Sequence, residues 1–288
     1  MIMKKTVITL LAAAFLSTGM ALQAAERTQK FNGNISHLKC TTGVDVVYVP
    51  TSTGSTTVKI AGPDEGIKYV KVELNGSKLS VHADRPDKSG MRAPSFSLKG
   101  VTVTVTGPMI NSFEANSSGD IKCGTKLNCN GTLTLKTTSS GDIKFGAVDC
   151  TTLRASTNSS GDIDIKTLKC TDVTLSTSSS GDIDVYTLNT SNVVLQASSS
   201  GDIDIKSLSA KTVHANASSS GDIDIDSIKA DVLDANSSSS AEIKIKSGTV
   251  KTGNLNASSV GDIVVGNVRF GEKNIHKSSG GNVKIGTK

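Results

Sequence analysis

The chain has no tryptophan, and aromatic residues make up only 3% of its 288 positions. That excludes a large aromatic-filled core and a face of stacked rings of the kind that grips polysaccharide. No CxxC pair and no Cys/His metal spacing occurs, and His37, His82, His214 and His276 share no motif. Zinc-finger and thioredoxin-type chemistry is therefore absent from the pattern. Concentrated positive charge is also missing. The formal charge is +5, and two of the positive residues, Lys4 and Lys5, lie in the N-terminal leader. So weak a balance does not suggest a nucleic-acid partner. Hydrophobic runs are short everywhere except at the N-terminus. No membrane span is expected once that segment is removed.

What is present begins with a leader. Residues 1–25 read as a signal peptide. Met1–Lys5 gives the positive start, Thr6–Met20 the apolar stretch, and Ala21, Ala24 and Ala25 the small residues before Glu26. The expected location is outside the cytoplasm: periplasm, cell surface or secreted. Five cysteines follow (Cys40, Cys123, Cys129, Cys150 and Cys170), so at least one thiol stays unpaired. Cys150 and Cys170 share a slot in successive repeats, where a disulfide would need awkward geometry. Cys123 falls in a core slot, and Cys129 falls one position out of register with Cys150.

From residue 116 one phrase recurs: Ser118-Gly119-Asp120-Ile121, then Ser140-Gly141-Asp142-Ile143, then copies at Asp162, Asp182, Asp202, Asp222 and Asp262. Glu242 and Asn282 take the acidic slot in two copies. The first step is 22 residues and each later one is 20. A fixed period of this kind marks stacked repeats. One and three residues after the acid stand apolar residues, as in Ile163 and Ile165, Ile183 and Val185, Ile203 and Ile205. The residue between them is polar in all but one copy. This is period-2 alternation, a strand with one buried face. Further apolar slots lie six residues after the acid (Leu168, Leu188, Leu208) and nine and seven before it (Val173 and Leu175, Val193 and Leu195). No unit can bury these residues alone, but stacked units can. The fold class predicted is all-β: a right-handed parallel β-helix of 20-residue coils, the β-solenoid occupying residues 111–288. The handedness is the one implied by the family resemblance described below. Serine runs locked to the repeat are expected at tight corners, with glycine supplying unusual backbone angles.

Residues 26–110 are β-rich but lie off this period. Asp45–Val49, Thr56–Ile60 and Val101–Val105 read as strands. Tyr69–Leu74 and Lys78–His82 flank Asn75-Gly76, a hairpin signal. Residues 84–94 read as a polar loop. This region is expected to cover the first coil, whose open edge would otherwise invite aggregation.

The acidic column is the sharpest chemical feature. In-register stacking sets Asp142, Asp162, Asp182, Asp202 and Asp222 about 4.8 Å apart. A second row, Asp164, Asp184, Asp204 and Asp224, follows two residues on. Like charges so close repel. Backbone N–H groups at the turn, lysines such as Lys166 and Lys206, or bound cations must offset this. Oxygen-rich rows suit Ca²⁺, so the five aspartates are metal candidates and Ca²⁺ is the candidate cofactor. The competing reading is a structural turn residue. Asn-x-Ser at Asn116, Asn158, Asn216, Asn236 and Asn256 reads as a polar corner or, in a suitable host, a glycosylation site.

Several features occur together: the leader, the opening Phe31-Asn32-Gly33-Asn34-Ile35 and Val44-Asp45-Val46, the Leu74–Val81 hairpin, Val101-Thr102-Val103 and the Ser-Gly-Asp-Ile coils. This combination resembles the auto-transporter adhesin, head GIN domain family of Bacteroidetes-type envelope proteins. The resemblance spans nearly all of the mature chain. It implies a right-handed β-helix outside the cytoplasm and brings no catalytic residues. The expected function is a non-enzymatic, adhesin-like scaffold of the cell envelope, binding a protein or glycan surface ligand. Two alternatives stand beside it. One is a β-helix polysaccharide lyase or hydrolase, which would need irregular loops carrying carboxylates placed once. The other is an envelope assembly or stress component.

Overall fold

The computed structural model describes residues 25–52, 54–84 and 96–286. The leader, apart from Ala25, and the polar loop except Asp84 lie outside the described residues. The fold is a parallel β-solenoid of about nine turns, as the repeat predicts. Within each coil the alternating apolar residues turn inward. Ile143, Ile163, Ile183, Ile203, Ile223 and Ile243 are fully buried, one above another. Each such side chain contributes about 1.5–3 kcal/mol. Stacking runs in parallel register, with Ile163 opposite Ile183, Ile183 opposite Ile203, and Ile203 opposite Ile223.

The N-terminal half contributes coils to the same stack. Its elements are β1 (Ala25–Asn32), β2 (His37–Cys40), β3 (Val46–Pro50), β4 (Ser55–Gly62), α1 (Asp64–Ile67), β5 (Val70–Asn75), β6 (Lys78–Ala83) and β7 (Thr102–Gly107). The first repeat strands follow as β8 (Ser112–Asn116), β9 (Ile121–Cys123) and β10 (Leu127–Ser139). β2 pairs in parallel with β8 on one side and β6 on the other. β3 likewise pairs in parallel with β9 and β7. The coil of residues 37–50 is therefore sandwiched between a later coil (78–107) and the first repeat coil. Stacking order and chain order differ here.

Beyond this point the pairing changes sense. β4 runs antiparallel on β7, β1 antiparallel on β4, and β5 antiparallel on β6. The β5–β6 hairpin turns at Gly76, whose φ of 63° suits a residue without Cβ. Antiparallel strands thus lie across the end of the parallel stack.

The core is continuous through this junction. Tyr48, Phe113 and Phe145 form a ring column with centroids 5.1 and 5.0 Å apart. The buried Tyr48 hydroxyl donates to the Pro108 carbonyl at 2.7 Å and accepts from the Ile110 N–H at 3.0 Å. On the outer face Glu114 of β8 meets Lys39 of β2 at 2.8 Å, His37 at 3.4 Å and Lys78 of β6 at 3.7 Å. Partial burial would raise the Glu114 carboxyl. The surrounding cations outweigh it and hold the carboxyl below its usual range.

Candidate functional site

Each coil turns at Ser-Gly-Asp, and the structure divides the work there in an unexpected way. Positive φ falls on serine: Ser139, Ser159, Ser179, Ser199 and Ser219 lie between 61° and 76°. The glycines that follow have no positive φ, which corrects the expectation that they supply the unusual angle. They are required by space instead. A Cβ on Gly161, Gly181 or Gly201 would stand 2.4, 2.5 or 2.7 Å from the carbonyl oxygen of the glycine one coil earlier. Beneath the turn, buried Thr137, Thr157 and Thr177 donate to the carbonyls of Gly161, Gly181 and Gly201 at 2.7–2.8 Å.

The aspartates clip coil to coil. The backbone N–H groups of Asp142, Asp162, Asp182, Asp202 and Asp222 donate to Oδ1 of the aspartate one coil earlier. The distances are 3.2, 3.1, 3.0, 2.9 and 2.9 Å. The N–H of Glu242 continues the ladder to Asp222 at 2.7 Å. Burial and neighbouring acids raise Asp162 and Asp202, while the received N–H bond acts the other way. Among the described residues no group of three or more His, Cys, Asp or Glu side chains is placed to hold a metal ion.

The second acidic row stacks in register on the outer face, Asp164 to Asp184 to Asp204 to Asp224, with Lys144 and Lys244 at its ends. Lys144 reaches Asp164 at 2.7 Å and Asp142 at 3.5 Å. Lys206 pairs not with this row but with Asp226, at 2.9 Å. Lys166 makes no ion pair or hydrogen bond among the described residues, so neither expected lysine pairs directly with the row, although the Lys206 charge acts on Asp204 at longer range. Asp184 is left among acids. Although its side chain reaches solvent, desolvation and the charges of Asp204 and Asp164 push its carboxyl up to about 6.

Four residues after each acid the chain bends, and the residue at that corner points outward. Down the stack this slot holds Gly124, Gly146, Lys166, Tyr186, Lys206, Asp226, Lys246, Gly266 and Gly286. Gly124 and Gly146 leave a trough of about 480 Å³. Tyr186 and Lys166 stand at one end, and Lys122, Lys144, Asp164 and Asp184 along the side. Tyr186 is 67% exposed, the most exposed large hydrophobic side chain among the described residues. Sequence reasoning missed this site because the repeat drew attention to the acids. The available signal was the corner column itself, together with the 22-residue first step.

That first step also explains the cysteines. One extra residue falls between Cys123 and Leu127 and one between Cys129 and Thr132, so Cys129 lies directly opposite Cys150. This corrects the offset inferred from counting. All five cysteines are free and buried. The hydrogen bond between Cys150 and Cys170, with burial, raises the Cys150 thiol well above its usual value. Burial also raises the thiols of Cys40, Cys123 and Cys129, so these three and Cys150 are packing groups rather than nucleophiles.

Regular clipped coils, with a trough at one outer corner, define a parallel β-solenoid protein. The chain belongs to the family described as Putative auto-transporter adhesin, head GIN domain, whose model matches residues 35–225 and 194–288. Solved structures agree on the fold. One, described as a putative lipid binding protein from Parabacteroides distasonis, superposes with a TM-score of 0.61 at 15% identity, covering 91% of this chain and 97% of that one. A putative adhesin from Parabacteroides merdae gives 0.60 at 14% identity, covering 91% and 96%. Another from P. distasonis gives 0.56 at 14%, covering 91% and 97%. A search of curated proteins finds no match. No helix among the described residues is long and apolar enough to cross a membrane.

Proposed function

We propose that this chain is a non-enzymatic, exported scaffold of the cell envelope that binds a surface partner at the corner trough. The observation that carries this reading is the pairing of exposed Tyr186 with a trough floored by Gly124 and Gly146. A concave surface bordered by an aromatic ring and a few convergent polar groups is a common form of recognition site. Family membership supports the adhesin-like part of the reading. The regularity of the coils supports the non-enzymatic part. The acids belong to the repeat, and the aspartate column is occupied in backbone clips, whereas catalysis needs a constellation placed once.

The experiment is saturable binding of the labelled mature chain to isolated bacterial envelopes. The double variant Gly124→Leu/Tyr186→Ala should lose most of the bound fraction. Asn216→Ala, at a different outward position, should not. Equal binding by both would overturn the trough as the site. New reducing ends or unsaturated products from a polysaccharide panel would overturn the non-enzymatic reading.

A further inference from the structure

We infer that the trough takes a short acidic saccharide, one or two pyranose rings carrying a carboxylate. The inference rests on the binding-scaffold reading above and names the class of ligand. Four observations converge on it.

The floor offers no backbone for a peptide to pair with. Strand 143–145 is hydrogen-bonded to β9 on one side and to strand 163–165 on the other. Strand 163–165 is bonded in turn to strand 183–185. An extended peptide binds a sheet through unpaired edge groups, and here those groups are spent. Recognition must come from side chains and shape.

The depression at Gly124 is not forced by the fold. A Cβ there would meet nothing within 4 Å, and its φ is not positive. Gly146 differs, because its Cβ would lie 2.9 Å from the Gly124 carbonyl oxygen. The same corner slot carries Lys, Tyr, Lys, Asp and Lys in the five coils after Gly146, and glycine again only in the last two, at Gly266 and Gly286. Neither packing nor backbone angle therefore accounts for the missing side chain at 124.

The side-chain set matches a sugar. Tyr186 presents an apolar ring with a polar tip, suited to the C–H face of a pyranose. Asp164 and Asp184 can accept hydrogen bonds from hydroxyl groups, and lysines can donate to ring and hydroxyl oxygens. The trough volume of about 480 Å³ lies within the range of small-ligand sites.

The fourth observation is charge. Lys122 is paired with Asp120 at 3.4 Å, and Lys144 with Asp142 and Asp164. Lys166 beside Tyr186 has no anionic partner among the described residues. Asp184, along the side, likewise has no cationic partner among them, so the match is local: an anionic group at the Lys166 and Tyr186 end and hydroxyl groups against Asp184.

The probe is digalacturonic acid, with maltose as the neutral control of similar size. Because the chain lacks tryptophan, tyrosine emission is unmasked; of the three tyrosines, Tyr48 is buried and Tyr69 packs on Phe96, so only Tyr186 lines the trough. Titration followed by calorimetry and tyrosine fluorescence should show millimolar or tighter binding of digalacturonate, with quenching. Maltose should bind about tenfold more weakly. Lys166→Gln should erase that preference. Tyr186→Ala should remove the quenching and weaken binding about tenfold. Gly124→Leu should block binding while leaving the melting temperature unchanged, since the added side chain meets open space. The inference is overturned if digalacturonate gives no signal at millimolar concentration, or if Gly124→Leu binds it like the parent. It is equally overturned if maltose binds as tightly as digalacturonate. Envelope binding separates the two levels. If the parent chain binds envelopes but not digalacturonate, the saccharide assignment falls and the scaffold reading stands.

Discussion

Serine and glycine exchange their usual roles at the corner. Serine accepts the left-handed angle at a cost of about 1 kcal/mol, and glycine keeps successive turns in contact. Gly181→Ala is therefore expected to destabilise the fold by about 1–3 kcal/mol, even though its backbone angle is ordinary. Ser179→Gly should be neutral or slightly stabilising. Denaturant melts of both variants decide this, and the reverse order would return the angle to glycine. The aspartate beside them gives a second contrast. Asp182→Asn keeps an acceptor for the Asp202 N–H and should cost little. Asp182→Ala leaves that N–H without its partner and should cost about 1–3 kcal/mol. If the column instead works by holding Ca²⁺, Asn should be nearly as damaging as Ala, and Ca²⁺ added to chelated protein should release heat and raise the melting temperature.

At the scale of a strand, the second acidic row weakens the sheet it decorates. The folded-state carboxyl of Asp184 titrates at about 6, above its unfolded value. The folded state therefore holds the extra proton between those two values. The stability this adds is complete below the unfolded pKa and is lost as pH rises through about 6. Solvent reaches the side chain, so the effect is modest, about 1 kcal/mol or less. Going from about pH 5 to about pH 7.5 should lower the melting temperature by about 1–3 °C through this group. Asp184→Asn should flatten that fall and melt higher at the upper pH. An unchanged pH profile in the variant would show that the row carries no such strain.

Over the whole molecule, the sequence makes the repeat legible and leaves its beginning hidden. The 20-residue step places Ile163, Ile183 and Ile203 on one inward line, because identical slots must bury against each other. The coils of residues 37–50 and 78–107 carry no Ser-Gly-Asp phrase, and they stack out of chain order. Counting along the chain cannot place His37 beside both Ser112 and Lys78. The trough was hidden for a related reason. It arises where side chains are missing, at Gly124 and Gly146, next to inserted residues that break the count. The hydrogen-bonded acids, which counting shows best, hold the stack together. The broken count marks where the surface becomes specific.

A crystal structure of the mature chain with digalacturonate tests the trough most directly. The sugar is expected in the trough over Gly124, one ring against Tyr186 and a carboxylate at Lys166. Sugar bound elsewhere on the stack, with the trough holding only solvent, would contradict it.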